Sequence, residues 1–474
     1  MGMGLLQQSQ KLQAPGAKFQ ETPSDVLSRL CAYVDPPGCG YATALRQRSG
    51  GETKTFDTGD SLSDSLLMLA QDYYPCLLLP ASERDPFSFN PFPLTLSRLS
   101  FDHPLIDCIL TALGDEEPLR KLFPSGEISK ETATKQAISR SGRGGASQAG
   151  FLPSTFLINA EPRAWLSGEL SLESYLNAVT AELAAARALA EENEVMVPVT
   201  VGFRSVQVPD EFELKTPWGV LRRPNPWQRR WAPAEADVVL EVDFPMAAHI
   251  PDEDFDAAFR ALASEFFAPL TELEGEINKM RLALLLGSAS EPPVSLAPTW
   301  RFIPDPLQAP GFSWWSGEAR MTAGEINSGD VEELESWMKT VEERFDSKLD
   351  LATRRLLSSV TQRMNAEDGL IDATVALESL FGTGQGEIRF RLSVAIAWLL
   401  ESDPEARERR RRQVSSIYDD RSKVVHGGHL APERAEEARN EAIAVAISAM
   451  GTLISDRPEL IADESRGRTL AIAG

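Results

Sequence analysis

The chain has few cysteines and no long uninterrupted apolar run. Four cysteines in 474 residues are too few for a disulfide-stabilised scaffold, and no Cys-x-x-Cys pair is present to indicate a zinc site. The longest weakly polar stretch, residues 442–454, falls short of the ~20 residues that a membrane-spanning helix needs. The N-terminus lacks the basic flank and apolar core of a signal peptide. We therefore expect a cytoplasmic protein that uses no membrane, metal ion or other cofactor.

Positive charge is also scarce. Lysine and arginine number 47 against 70 aspartates and glutamates, which gives a net charge of −23. Because phosphate contacts need Lys and Arg, this balance excludes binding to nucleic acid by bulk electrostatics, and any such contact must come from a local basic patch. The apolar fraction of 42% and charged fraction of 25% are those of a globular protein, and the length predicts two or three domains.

Composition and hydrophobic periodicity predict an α+β protein with distinct regions. Residues 1–55 form a polar, partly disordered lead-in, and residues 56–315 form a mixed, β-rich N-terminal region with a mobile linker at about 125–150. The valine-rich and alternating patterns that predict strands in this region lie at 195–208, 212–214, 218–222 and 237–244.

From residue 330 onward strand patterns disappear and apolar residues recur at helical spacing. We predict a helical domain over 330–458 and a tail over 459–474. The predicted helices span 330–346, 347–364, 366–381, 387–401, 404–426 and 432–455.

The fifth of these helices carries the most informative pattern. At 100° per residue, Arg421 falls in the apolar stripe of Val414 and Ile417, where an unpaired charge is costly. His426 closes the helix five residues later, about 140° away. One interpretation is structural: Arg421 forms a buried ion pair with Glu378, and His426 is a C-terminal cap. The other is a functional site.

The stretch RSKVVH matches the R-x4–6-H motif, and residues 350–454 resemble the Apea-like branch of the HEPN family. The resemblance also includes Tyr418, Gly427 and the element LESL at 377–380. Relatives carry a second arginine about where Ala395 stands, so a role for that arginine is not expected here. The resemblance implies a four-helix bundle, a two-fold homodimer and a metal-independent endoribonuclease.

Within that resemblance, the residue types suit RNA cleavage. An imidazole transfers protons near neutral pH, which assigns acid–base work to His426. A guanidinium holds phosphate and stabilises developing charge, which assigns phosphate binding to Arg421. Ser422 and Tyr418 would orient or contact the substrate. A dimer would bring two Arg–His pairs to one groove, so a single pair need not converge.

Two local basic segments are candidate contacts for RNA or a trigger. Residues 407–423 hold seven basic residues against three acidic ones, and the candidates there are Arg410, Arg411 and Lys423. The alternative is a solvated helix face neutralised by nearby glutamates.

The second segment, residues 216–231, interleaves tryptophan with arginine, a combination suited to stacking on bases. Its candidates are Trp227, Arg229 and Arg230. The alternative is a hairpin whose tryptophans pack in the core.

The resemblance implies a ribonuclease effector in antiviral defence or growth arrest, restrained by its N-terminal region until an invader-derived trigger binds. Its expected partners are RNA and a second copy of the chain. The alternative is a non-catalytic HEPN module that binds nucleotide or RNA, or dimerises.

Overall fold

The computed structural model describes residues 54–77, 103–143, 147–166, 170–232, 234–252, 254–308, 311–314, 323–381 and 388–472. The predicted lead-in therefore lies almost entirely outside the described residues. The chain divides into two compact units. The first comprises Met1–Gln136, Gly145–Glu191 and Pro306–Ala309, and the second comprises Ala137–Gly144, Glu192–Asp305 and Pro310–Gly474.

The described part of the first unit is mainly helical. Its helices are α1 (Ser61–Leu77), α2 (Ile106–Asp115), α3 (Glu117–Arg120), α4 (Leu152–Trp165) and α5 (Leu172–Ala190). A reciprocal capping box between Ser171 and Ser174 begins α5. Near the end of α5, Arg187 binds Glu116 at 2.6 Å and Asp60 at 2.7 Å. This ion-pair cluster joins α5 to the starts of α3 and α1.

The second unit contains the sheets of the described chain. The strands are β1 (Ile138–Ser139), β2 (Gly142–Arg143), β3 (Val195–Arg204), β4 (Val206–Gln207), β5 (Glu213–Thr216), β6 (Gly219–Arg222), β7 (Val238–Met246), β8 (Ala248–His249), β9 (Ala297–Ile303), β10 (Gly311–Trp314) and β11 (Gly324–Glu325). Six of them form an antiparallel sheet in the order β10-β9-β3-β7-β6-β5. At its centre Val201 lies opposite Leu240, and both are fully buried. The strand patterns of the sequence are confirmed, and the fold is α+β.

The stretch expected to be a mobile linker holds ordered structure instead. β1 and β2 form a hairpin that pairs with β8. The hydroxyls of Ser139 and Ser141 both donate to the carboxylate of Asp305, at 2.5 and 2.6 Å, and Asp305 is buried. The sequence of this stretch contains mostly small polar residues, so it has no apolar pattern that would predict the hairpin. The hairpin is held instead by hydrogen bonds to Asp305, which is more than 160 residues away in the sequence.

The helices of the second unit are α6 (Pro226–Trp231), α7 (Phe255–Phe266), α8 (Ala268–Gly287), α9 (Val331–Arg344), α10 (Asp350–Thr361), α11 (Ala366–Phe381), α12 (Ile388–Leu400), α13 (Pro404–Val425), α14 (Pro432–Ser455), α15 (Glu459–Ala462) and α16 (Arg466–Ile472). Helices α9 to α14 confirm the six predicted from residue 330 onward. Proline stands in the first turn of α13 and of α14, where its missing N–H costs no hydrogen bond.

Residues 459–474 were expected to be a tail, but the described part of them packs against the helical region. Arg466 on α16 is buried, and its guanidinium donates to the carbonyl oxygens of Leu380 and Ile461. Gly467 lies so close to α11 that a Cβ there would stand 2.1 Å from the carbonyl oxygen of Phe381. The short helix α16 therefore covers the end of α11.

A buried carboxylate connects α10 to α11. Asp372 accepts hydrogen bonds from Arg355 at 2.8 Å, Ser358 at 2.8 Å and Arg363 at 2.6 Å. Burial on its own raises the pKa of Asp372, but the hydrogen bonds and the charge of Arg363 outweigh it and hold the pKa below its ordinary value. Asp372 thus stabilises the packing of these two helices in its charged form.

Replacing Asp372 by asparagine is expected to lower the free energy of unfolding by about 2 kcal/mol at pH 7, because charged hydrogen bonds are lost. A folded-state pKa below the ordinary 3.8 means that this stabilisation is complete above that pH and is lost as pH falls through the folded pKa. Urea unfolding should therefore show the full difference in unfolding free energy between the unaltered chain and Asp372→Asn at pH 7 and pH 5. At pH 3 the difference should be smaller.

The matched control for this prediction is Asp368→Asn, which removes an exposed carboxylate from the first turn of the same helix. This control is expected to lower the free energy of unfolding by about 0.5 kcal/mol. Equal costs for the two variants, or a difference that persists unchanged at pH 3, would contradict the role assigned to Asp372.

Candidate functional site

The candidate site lies at the C-terminal end of α13. The side chain of Asp403 caps the start of this helix by accepting from the N–H of Ala406 at 2.8 Å. The helix ends at Val425, and His426 is its C-terminal cap. Gly427 then adopts a φ of +80°, a left-handed conformation that glycine adopts without strain. The chain reverses there, so the ring of His426 stands at the end of a rigid element.

The turn after His426 is held by a residue that sequence reasoning missed. Glu367, in the first turn of α11, accepts from the N–H of Leu430 at 2.9 Å and lies 3.7 Å from the ring of His429. The acidic start of α11 is visible in the sequence, but its pairing with residues more than 60 positions away is not. Glu367 fixes where the chain leaves α13.

Arg421 and Glu378 meet, as the structural interpretation predicted. The distance from Arg421 Nη2 to Glu378 Oε1 is 3.6 Å, which is longer than a direct hydrogen bond. The two side chains are 27% and 23% exposed, so the pair is half-buried and not fully buried as expected. The Nε atom of Arg421 is buried and has no hydrogen-bond partner among the described residues. Arg421 is therefore only partly satisfied by protein groups.

Tyr418 lies one turn before Arg421 and is close to both Glu378 and Arg421. Its ring is buried, and its hydroxyl lies 3.5 Å from the carbonyl oxygen of Thr374. Burial raises the pKa of Tyr418, and the neighbouring Glu378 carboxylate raises it further while Arg421 opposes the shift. Tyr418 therefore carries a neutral hydroxyl close to Glu378, and its burial removes it from direct contact with a substrate.

No hydrogen bond joins the side chains of Arg421 and His426 in the described chain. The guanidinium of Arg421 turns towards Glu378 on α11, whereas His426 is exposed and its ring has no hydrogen bond to any described residue. Ser422 is half-exposed, and its carbonyl accepts from the N–H of His426 at 3.1 Å.

The basic segment of α13 is largely neutralised. Arg410 donates twice to Glu401, at 3.0 and 2.8 Å. Arg411 donates twice to Glu408, and the hydrogen bonds of Arg411 and Arg412 lower the pKa of Glu408 to about 2. These pairs match the solvated helix face that was the alternative interpretation.

Lys423 differs from these arginines. It is exposed and forms no ion pair within the part of the chain that the structure describes. Of the three basic candidates on α13, Lys423 is the one best placed to meet a phosphate.

Trp227 of the tryptophan-rich segment packs in the core, as the alternative interpretation expected and contrary to its proposed contact with a ligand. Trp227 is 2% exposed and meets Phe302 of β9 edge-on, with ring centroids 5.0 Å apart. Its indole face therefore cannot stack on a base in this fold. Arg229 is exposed and donates to the carbonyl of Pro224 at 2.7 Å. The side chain of Arg230 lies outside the described residues.

Within the described ranges, no group of three or more His, Cys, Asp or Glu side chains is placed to hold a metal ion. None of the helices described is long and apolar enough to cross a bilayer. Comparisons with protein-family models, curated proteins and solved structures found no match to this chain.

Proposed function

We propose that this protein is a HEPN-type endoribonuclease that cleaves RNA without a metal ion, as a cytoplasmic effector in antiviral defence or growth arrest. One observation supports this more than any other. A half-buried guanidinium with an unsatisfied Nε and an exposed imidazole lie five residues apart at the end of one helix. The contact of this guanidinium with Glu378 is long and its side chain is 27% exposed, so its exposed part is available to a phosphate oxygen.

RNA carries its own nucleophile in the 2′-hydroxyl next to the scissile phosphate. In the proposed reaction His426 removes the proton from this hydroxyl, and the 2′-oxygen attacks phosphorus. The bond from phosphorus to the 5′-oxygen breaks, and the leaving oxygen takes up a proton. The products are a 2′,3′-cyclic phosphate and a free 5′-hydroxyl. Arg421 stabilises the negative charge that grows on the phosphate oxygens.

A two-fold dimer supplies what one chain lacks. In this proposal a dimer brings two Arg421–His426 pairs together, and the histidine of the second copy protonates the leaving oxygen. In this proposal the two α13 ends face a common groove that holds the RNA backbone. The N-terminal region restrains this groove until an invader-derived molecule binds.

A second candidate function is a non-catalytic module that binds nucleotide or RNA, or dimerises. The ion pairs of Arg410 and Arg411 with glutamates favour it, because they leave little free positive charge along α13. In that case the Arg421–Glu378 pair is structural, and His426 only caps the helix.

Cleavage of RNA by the purified full chain in EDTA tests the proposal. We expect a labelled oligoribonucleotide to be cut to fragments that end in a 2′,3′-cyclic phosphate. The matched substrate with 2′-deoxynucleotides throughout should remain intact, because it lacks the nucleophile. Cutting of the deoxy substrate would contradict the mechanism. Binding of RNA without cleavage, together with normal growth of cells that overproduce the protein with an inducer, would support the non-catalytic module.

A further inference from the structure

Four consecutive residues of α13, immediately before its last turn, contact three neighbouring helices. These contacts are Tyr418 with Thr374 of α11, Asp419 with Arg389 of α12, Asp420 with Arg434 of α14, and Arg421 with Glu378 of α11. Successive residues of a helix point about 100° apart, so contacts on several sides fix the rotation of α13 about its own axis. The direction in which Arg421 points is fixed with it.

The contact with α14 is made by charged hydrogen bonds. Arg434 donates twice to Oδ2 of Asp420, from Nε at 2.9 Å and from Nη2 at 2.5 Å. It also donates to Glu437 at 2.8 Å and to the hydroxyl of Ser416 on α13 at 3.4 Å. The side chains of Arg434 and Asp420 are 31% and 17% exposed. An isolated exposed ion pair contributes little, but a half-buried pair within a network holds a defined geometry.

The pair between Asp420 and Arg434 closes the part of the chain that carries the candidate site. The two residues are 14 positions apart, and both Arg421 and His426 lie between them. The turn between the two helices is held by the backbone hydrogen bonds of a Schellman motif that ends at Gly428. The Asp420–Arg434 pair therefore joins α13 to α14 directly beside Arg421, and the turn that carries His426 lies within the closed segment.

We propose that Arg434 is a positioning residue for RNA cleavage, which holds Arg421 and His426 in the relative geometry that the reaction needs; this inference rests on the proposed function. Arg434 acts through Asp420, and it has no contact with RNA in this proposal. A displacement of about 1 Å caused by a change far from the reacting atoms can slow a reaction about 10²-fold. Loosening this pair should therefore slow the chemical step more than it weakens the binding of RNA.

The test is single-turnover cleavage of RNA by the full chain, with binding of uncut RNA and thermal unfolding measured on the same samples. Arg434→Met keeps an unbranched apolar stem and removes the guanidinium. It should slow cleavage by about 10- to 100-fold, while the affinity for RNA changes by less than about twofold, because no group that meets RNA is removed. Asp420→Asn should have a similar effect. The double variant should be no slower than the slower single variant, because both changes break the same contact.

Two further variants separate positioning from stability. Arg434→Lys keeps a positive charge beside Asp420 and Glu437, so the chain should fold and recover part of the rate. Asp372→Asn breaks hydrogen bonds of a buried carboxylate outside the closed segment. It should lower the temperature of unfolding but leave the rate of cleavage unchanged.

Several outcomes would overturn the positioning role while the proposed function stands. These are cleavage by Arg434→Met at the rate of the unaltered chain, losses that multiply in the double variant, and an equal loss of rate with Asp372→Asn. A shift in the midpoint of the pH–rate profile with Arg434→Met would also overturn it, because Arg434 would then act on His426 through its charge. If the unaltered protein cleaves no RNA, the proposed function fails and this inference fails with it.

Discussion

Replacing His426 by alanine is expected to lower the rate of RNA cleavage by about 10²- to 10⁴-fold, the contribution typical of a general acid–base group. The imidazole lies at the cap of α13, exposed to solvent, and the N–H of the same residue is bonded within the last turn. Alanine keeps that backbone bond and removes only the ring. Thermal unfolding should therefore be nearly unchanged, and the loss should appear in the turnover of RNA and not in its binding.

His429 provides the matched control for this prediction. Its side chain is 88% exposed and lies three residues beyond His426 on the same turn. His429→Ala changes the same chemical group in the same neighbourhood, and we expect it to cleave RNA at the rate of the unaltered chain. Cleavage that survives His426→Ala would show that the imidazole has no part in the reaction.

Replacing Arg421 by alanine is the second large expected effect, a loss of about 10²- to 10³-fold in cleavage, comparable to removing one preorganised donor from a charged transition state. Lysine should not restore the activity. Its ammonium is a point charge and lacks the planar pair of donors that matches a phosphate. The measurement is single-turnover cleavage in EDTA, with binding of the uncut RNA followed in parallel.

Arg412 and Glu378 make this prediction specific. Arg412→Ala removes a guanidinium from the same helix, but that side chain is 75% exposed and already paired with Glu408, so cleavage should not change. Glu378→Gln replaces the carboxylate that lies 3.6 Å from Arg421 by a neutral amide. The variant should bind RNA more tightly, because the phosphate then no longer competes with a negative charge for the guanidinium. A loss with Arg412→Ala as large as with Arg421→Ala would point to bulk charge instead of a built site.

The helical region illustrates how far pattern alone can lead. Predicted helices at 366–381 and 432–455 coincide with α11 and α14 at both ends. Apolar spacing, a proline in the first turn and glycine after the last turn are local signals, and the helix depends on local hydrogen bonds. The strand pattern of β7 succeeded for the same reason, since alternation reports one buried face.

The candidate site was predictable only in part. The pattern around residue 421 indicated a charge on an apolar face, and Glu378 was predicted as its partner. The sequence could not show that the pair would be half-buried at 3.6 Å or that the Nε atom of Arg421 would lack a partner.

The sequence by itself determined the presence of the six helices between residues 330 and 455 and of the strands between 195 and 246, because their apolar patterns are local. The tertiary structure alone decided which charges are neutralised and which polar groups are buried. Arg281 on α8 has its guanidinium wholly buried against Leu296 and Thr361, and burial lowers its pKa to about 10. Arg439 on α14 fits against α11 because Gly369 has no side chain: a Cβ there would lie 2.6 Å from its Nε. Thr361 lies 80 residues from Arg281, and Gly369 lies 70 residues from Arg439. A contact across that distance is set by how whole elements pack, which no local pattern records.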